Sequence, residues 1–301
     1  MTWSTIMKLK KVLASGVIVA SAAFGATTAN AALIGAWDWA TDGGINNGTA
    51  TCDGGGTCSL LENNTFGATP SVDGITQSSI LAWGTGSNGG PQSALQLIFG
   101  NSNLPAVDAG SVFGAPADPI APFGPLITDG GWINIAAVVH YNNVLVSAGG
   151  SLGSADVTTT FDFSPLGVPP GLVPPLPFSS DLSISLNETL NEDEPEDCAF
   201  GNPNNTACDD IFTLLGGFPS FSFTEGGFIY SVSFQTVAGA GSVVDPIPGG
   251  FEVFTAETNP GVSVIYNQAR IDSRAVPAPS ALALLGLGLA LVGWNRRRAA
   301  A

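Results

Sequence analysis

The sequence predicts an all-β protein, an antiparallel β-sandwich of jelly-roll type, and three observations predict it. Several segments alternate apolar and polar residues with period two. Clusters of Gly, Pro, Asn and Asp bound each of them. Between the two ends of the chain, no window of helical length carries a clean 3.6-residue period.

Residues 228–234 alternate most strictly, setting Phe228, Tyr230, Val232 and Phe234 on one face. Residues 181–186 do the same with Leu182, Ile184 and Leu186. Further strands are expected at 93–99, 132–141, 157–163, 251–254 and 262–266. The proline-rich stretches 104–125 and 164–177 are too apolar for plain linkers and read as long loops packed over the sandwich ends. A domain boundary within 165–177 is the alternative for the second.

The two ends have a different character. Lys8, Lys10 and Lys11 precede an apolar run of small residues at 12–25, and Ala29-Asn30-Ala31 supplies a small-x-small cleavage pattern. Residues 1–31 therefore read as a signal peptide, with the mature chain starting at Ala32. At the other end, residues 281–294 are apolar and Gly-rich, and Arg296, Arg297 and Arg298 follow. Fourteen helical residues rise about 21 Å, short of the roughly 30 Å hydrocarbon core. With small neighbours they suit a thin membrane, the arginines staying cytoplasmic. An ordinary single-span anchor is the plain alternative.

The division expected is thus 1–31 signal peptide, 32–275 ectodomain and 276–301 C-terminal signal. All 24 acidic residues fall in the ectodomain, against Arg270 and Arg274 as its only basic residues, so its net charge is about −22. Such a surface excludes nucleic acid and anionic lipid, whose affinity needs cationic footprints. It suits solubility outside the cell and divalent cations.

Cys52 and Cys58 form one close pair and Cys198 and Cys208 another. Four cysteines allow three connectivities; the turn-rich spacing favours two local disulfide loops, as an oxidising compartment permits. Zinc is the alternative, but C-x₂-C spacing is missing and the single histidine is remote. If Cys198 and Cys208 are bonded, Glu194, Glu196 and Asp197 are drawn toward Asp209 and Asp210. These five carboxylates are candidate Ca²⁺ ligands, although their spacing matches no EF-hand and an acidic run is usually a solvated face. No other cofactor is expected.

Val276-Pro277-Ala278-Pro279, the hydrophobic run and the three arginines stand in an order that resembles the PEP-CTERM sorting signal of exported bacterial proteins. Ala278 stands where the name-giving motif carries Glu. The resemblance implies processing by the membrane enzyme exosortase, with the tail in the membrane beforehand. It also implies delivery to the envelope, surface or extracellular matrix of a Gram-negative bacterium. Gly35-Ala36-Trp37-Asp38-Trp39, then 80–86, then Val139-His140-Tyr141-Asn142 resemble the PEP-CTERM proteins named for a Thr-His-x-Asn (THxN) signature. His140 and Asn142 match it and Val139 replaces Thr; that family implies no activity.

His140 ends an apolar run, and alternation sets it and Asn142 on one strand face. Catalysis needs a nucleophile in reach and an acid to orient the base, and no local motif marks either. The pair reads as a structural pin, and the protein as no enzyme. The expected function is a non-catalytic structural or binding role at the surface or in the matrix, with extracellular polysaccharide as a candidate partner. The alternative is a carbohydrate-binding or glycan-cleaving ectodomain, with Trp37, Trp39, Trp83 and Trp132 as sugar-stacking candidates.

Overall fold

The computed structural model describes residues 32–46, 48–53, 58–61, 71–72, 75–78, 80–85, 92–102, 107–108, 119–120, 124–143, 145, 150–167, 176–189, 198, 201, 203–204, 207–257, 261–276, 286–289 and 291. The chain is all-β. Its first half holds β1 (Ala36–Asn46), β2 (Thr51–Cys52), β3 (Ser59–Leu61), β4 (Ser71–Val72), β5 (Ile75–Ser78), β6 (Ile80–Trp83), β7 (Ser93–Phe99), β8 (Val107–Asp108), β9 (Pro119–Ile120), β10 (Leu126–Ile127) and β11 (Ile133–Asn142). The second half holds β12 (Leu152–Pro165), β13 (Leu176–Asn187), β14 (Ala207–Gly216), β15 (Phe221–Glu225), β16 (Phe228–Ala238), β17 (Ser242–Ile247), β18 (Gly250–Glu257) and β19 (Gly261–Ala275).

Apart from the separate β8–β9 pair, these strands build two curled antiparallel sheets. One runs β17-β18-β14-β13-β12-β1-β5-β4, with β10 and β2 attached to β1 and β12; the other runs β15-β16-β19-β11-β7-β6-β3. The expected strands are all present: 93–99 is β7 to the residue and 132–141 is β11 shifted by one, while the other five are longer than expected. Residues 157–163 lie inside the fourteen-residue β12, which has a partner on each side. β1 reads Phe161 against Thr41, and β13 reads it against Phe178. Ser154 and Asp156 stay in the strand because β13 pairs them with Ser185 and Ser183, and β2 pairs Ser154 with Thr51; Gly153 marks a shift of register against β2.

β1 also runs straight through Asp42-Gly43-Gly44, a triplet that reads as a turn. Gly43 has φ +148° and lies so close to β12 that a Cβ there would stand 2.4 Å from the Thr158 carbonyl oxygen. Only glycine allows the two backbones this approach. The proline-rich stretches prove less uniform than loops. Within the first, β8 pairs β9. Across the second, β12 and β13 pair from Ser154↔Ser185 to Phe163↔Leu176, so 165–177 connects neighbouring strands of one sheet. Pro246 lies on the edge strand β17, where a missing N–H costs no ladder bond.

The chain divides into two compact units. The larger comprises Ile34–Phe223 and Tyr230–Ser273; the smaller includes Thr224–Ile229 and the segment from Arg274. In the smaller, the Val276 N–H donates to the Gly227 carbonyl at 2.9 Å. The larger holds one cluster of buried side chains drawn from both sheets, among them Leu152, Ile184 and Phe212 from one and Leu81, Trp83 and Ile265 from the other. Each such side chain contributes on the order of 1.5–3 kcal/mol. A second group gathers Trp37 with Phe163, Phe223 and Tyr230 at ring separations of 5.2–5.4 Å. Its indole nitrogen donates to Thr128 Oγ1 at 3.0 Å, so the buried polar atom is satisfied.

Candidate functional site

His140 sits near the end of β11 with β7 on one side and β19 on the other, its Cα partners being Leu95 and Ser263. The side chain is wholly buried, as are Val139 and Tyr141 on the opposite face. The imidazole stacks on Trp83 from β6 at 5.7 Å and 13°. It meets Phe212 from β14 edge-on at 4.7 Å. Its Nδ1 lies 2.9 Å from Thr255 Oγ1 on β18. The Thr255 hydroxyl in turn donates to the Asp210 carbonyl at 3.3 Å. A hydroxyl has one hydrogen, so giving it to Asp210 makes Nδ1 the donor toward Thr255 and leaves Nε2 an acceptor.

Burial alone drives the His140 pKa from 6.5 down to about 3, because a charged imidazole here would lose its hydration. The ring is neutral at every ordinary pH. His140 Nε2 and Asn142 Nδ2 are both buried without a hydrogen-bond partner among the described residues. Tyr141 donates to Gln96 Oε1 at 2.7 Å, and burial raises its pKa to about 12.

Glu188, just beyond β13, completes the arrangement. Its Oε2 accepts from Trp83 Nε1 at 3.2 Å. Burial raises its pKa from 4.5 to about 7, while the Trp83 hydrogen bond pulls the other way. The next residue, Thr189, gives its N–H to Asp210 Oδ1 at 2.8 Å and its hydroxyl to the Cys208 carbonyl at 2.8 Å. A circuit of contacts therefore runs from Glu188 through Trp83, His140, Thr255 and Asp210 to Thr189. Sequence reasoning singled out His140 and Asn142 but missed Glu188 and Thr255. Glu188 was masked by the acids that follow it, and Thr255 lies in an unremarkable strand.

The disulfides are the two local ones, Cys52–Cys58 and Cys198–Cys208, with Cα separations of 5.8 and 5.2 Å. Of the candidate Ca²⁺ ligands, Glu194, Glu196 and Asp197 lie outside the described residues. Asp209 and Asp210 are buried on β14. Asp209 Oδ2 accepts from the backbone N–H and the side-chain Nδ2 of Asn204, each at 3.0 Å. Both carboxylates thus tie neighbouring chain to the strand. Among the described residues no group of three or more His, Cys, Asp or Glu is placed to hold a metal ion. Of the tryptophans considered for sugar stacking, Trp37, Trp39 and Trp83 are at most 2% exposed. Only Trp132 is part-exposed, and the Arg270 guanidinium lies 4.9 Å above its ring.

The C-terminal signal is described only in part. Val276 is 37% exposed. Residues 286–289 form a helical turn with Leu287 and Leu289 exposed. Pro277, Ala278, Pro279, Arg296, Arg297 and Arg298 lie outside the described residues, as does the whole of 1–31. Among the described residues no helix is long and apolar enough to cross a membrane. No curated protein matches the chain. Residues 275–298, however, match the PEP-CTERM protein-sorting motif, which implies an exported protein sorted by exosortase to the cell envelope or surface.

Proposed function

We propose that the chain is a cell-surface or extracellular-matrix protein of a Gram-negative bacterium with a non-catalytic structural or binding role. On this reading residues 1–31 are a removable signal peptide and 32–275 a jelly-roll-like β-sandwich of the Thr-His-x-Asn type. Residues 276–301 are the sorting tail, seated in the membrane until exosortase acts. The observation that carries it is the sorting motif at 275–298. The site supports the non-catalytic half. A histidine with no exposed surface, held neutral and clamped between Trp83 and Phe212, cannot exchange protons with a substrate in solvent.

No resident cofactor is part of the proposal, since Asp209 and Asp210 already accept hydrogen bonds from Asn204 and Thr189. Extracellular polysaccharide is the partner we favour on grounds of compartment. It would meet polar surface rather than tryptophan platforms, because Trp37, Trp39 and Trp83 are core. Intact mass and terminal sequencing of the protein from the envelope and medium of its host test the assignment. A form starting near Ala32 and ending near Pro277 is expected. A membrane-bound form that keeps Arg296, Arg297 and Arg298 would refute it.

A further inference from the structure

The larger unit contains a cavity of about 150 Å³ where side chains of both sheets meet. Its floor is aliphatic, including Leu97, Val138, Val157, Leu214 and Ile265, each at most 6% exposed. Its wall also carries Gln235, Thr236 and Asn267, and no charged side chain lines it among the described residues. Native interiors leave few voids larger than a water molecule. A cavity of this size with an apolar floor is large enough for a single aromatic ring.

The polar side of the cavity is fixed in place. Thr236 Oγ1 donates to Asn267 Oδ1 at 3.0 Å, which leaves the Asn267 Nδ2 as that side chain's donor. Gln235 Nε2 donates to Gln268 Oε1 at 2.7 Å, and Gln268 Nε2 to Asn134 Oδ1 at 2.9 Å. The part-exposed rings of Phe218 and Phe234, also in the lining, stand 5.0 Å apart. Gly216 and Gly217, at φ +103° and +110°, let the chain leave β14 and bring Phe218 to that position.

We propose that this cavity is a binding site for a small neutral molecule, one aromatic ring bearing one hydrogen-bond acceptor. The ring fills the aliphatic floor, and the acceptor takes the Asn267 amide hydrogen. Size, lining and charge choose the class together. A ring fits the volume, the part-buried Asn267 amide can donate to an acceptor on it, and an ectodomain of net charge about −22 with an uncharged cavity wall disfavours a carboxylate. The site is independent of the sorting reading and stands if that reading fails.

Benzyl alcohol is the probe, with benzoate as its charged counterpart and toluene as its purely apolar one. Titrated into the full chain and followed by ligand-observed NMR and thermal shift, benzyl alcohol should bind saturably below about 1 mM. Benzoate should bind at least tenfold more weakly. Ala136→Leu puts three carbons into the cavity and should abolish binding while leaving the far-ultraviolet circular dichroism unchanged. Asn267→Leu should weaken benzyl alcohol about tenfold and leave toluene within twofold. Should Ala136→Leu not fold, the Asn267→Leu comparison decides alone. Absence of saturable benzyl alcohol binding overturns the proposal. So does equal binding of benzoate, undiminished binding in a folded Ala136→Leu protein, or an Asn267→Leu protein that binds benzyl alcohol normally.

Discussion

Replacing Glu188 by Gln should turn a flat pH profile of stability into a sloping one. Native His140 stays neutral down to about pH 3, whereas the unfolded ring takes a proton below 6.5. Its contribution is therefore complete above pH 6.5 and is lost as the pH falls toward 3. Glu188 works in the opposite sense. The native carboxyl holds its proton up to about pH 7 and the unfolded one only to 4.5, so folding gains as the pH falls from 7 to 4.5. Between pH 6.5 and 4.5 each group is worth about 2 kcal/mol, and the two nearly cancel. Asp129 stays outside this window. Hydrogen bonds from the Ser273 N–H and hydroxyl lower its pKa from 3.8, so its share is lost only below that value. Glu188→Gln keeps an acceptor for Trp83 Nε1 but removes the opposing titration. Urea unfolding at constant ionic strength, read by tryptophan fluorescence, should then show wild-type stability level from pH 6.5 to 4.5. The variant should lose about 2 kcal/mol over the same range. A variant as flat as wild type, or a wild type that itself loses 2 kcal/mol, refutes the assignment of these two buried groups.

Other perturbations have equally definite outcomes. Trp37→Ala empties the centre of the ring cluster and removes the indole donor to Thr128, and should cost about 3–5 kcal/mol in the same urea assay. Gly43→Ala sets a methyl group against the backbone of Thr158 and Thr159, which cannot step aside, and should cost at least about 2 kcal/mol. Removing Cys198–Cys208 by paired serine substitution should cost about 2.7 kcal/mol and removing Cys52–Cys58 about 2.2 kcal/mol. The order follows the closed loops, at sequence separations of 10 and 6. Millimolar Ca²⁺ should leave the melting temperature unchanged; a rise of several degrees would restore the acidic segment before Cys198 as a ligand set.

What could be read before the fold was known depended on whether the signal lies along the chain or across it. Residues 181–186 and 228–234 alternate because one face of each strand is buried, and Ile184, Leu186, Tyr230 and Val232 are indeed interior. The local disulfides follow from chain proximity. A sorting motif must be linear for its enzyme to read it, so its order survives in the residues themselves. β14 escaped notice because Asp209 and Asp210 look like turn residues, yet both are buried and Asp210 pairs with Thr255 of β18. β1 escaped through Asp42-Gly43-Gly44, where pairing with β12 overrides a local turn preference. The histidine circuit was out of reach for a different reason. Trp83, Phe212 and Thr255 come from three strands far apart in sequence, and only the pairing of the sheets brings them to one ring.

The scarcity of basic residues has a practical consequence for anyone seeking this protein in a cell. Between Lys11 and Arg270 the chain offers no lysine or arginine at all. Arg270 itself is held in the middle of β19, paired with Asp272 and lying over Trp132. Proteases that cut after basic residues need several residues of extended, unpaired backbone, so they have nowhere to begin on the folded larger unit. Outside a cell this is passive protection against a widespread class of hydrolase. In a tryptic survey of secreted proteins it is near-invisibility, since most of the ectodomain stays in one fragment too large to be sequenced. Digestion with an acid-directed protease such as Glu-C would reveal what trypsin conceals.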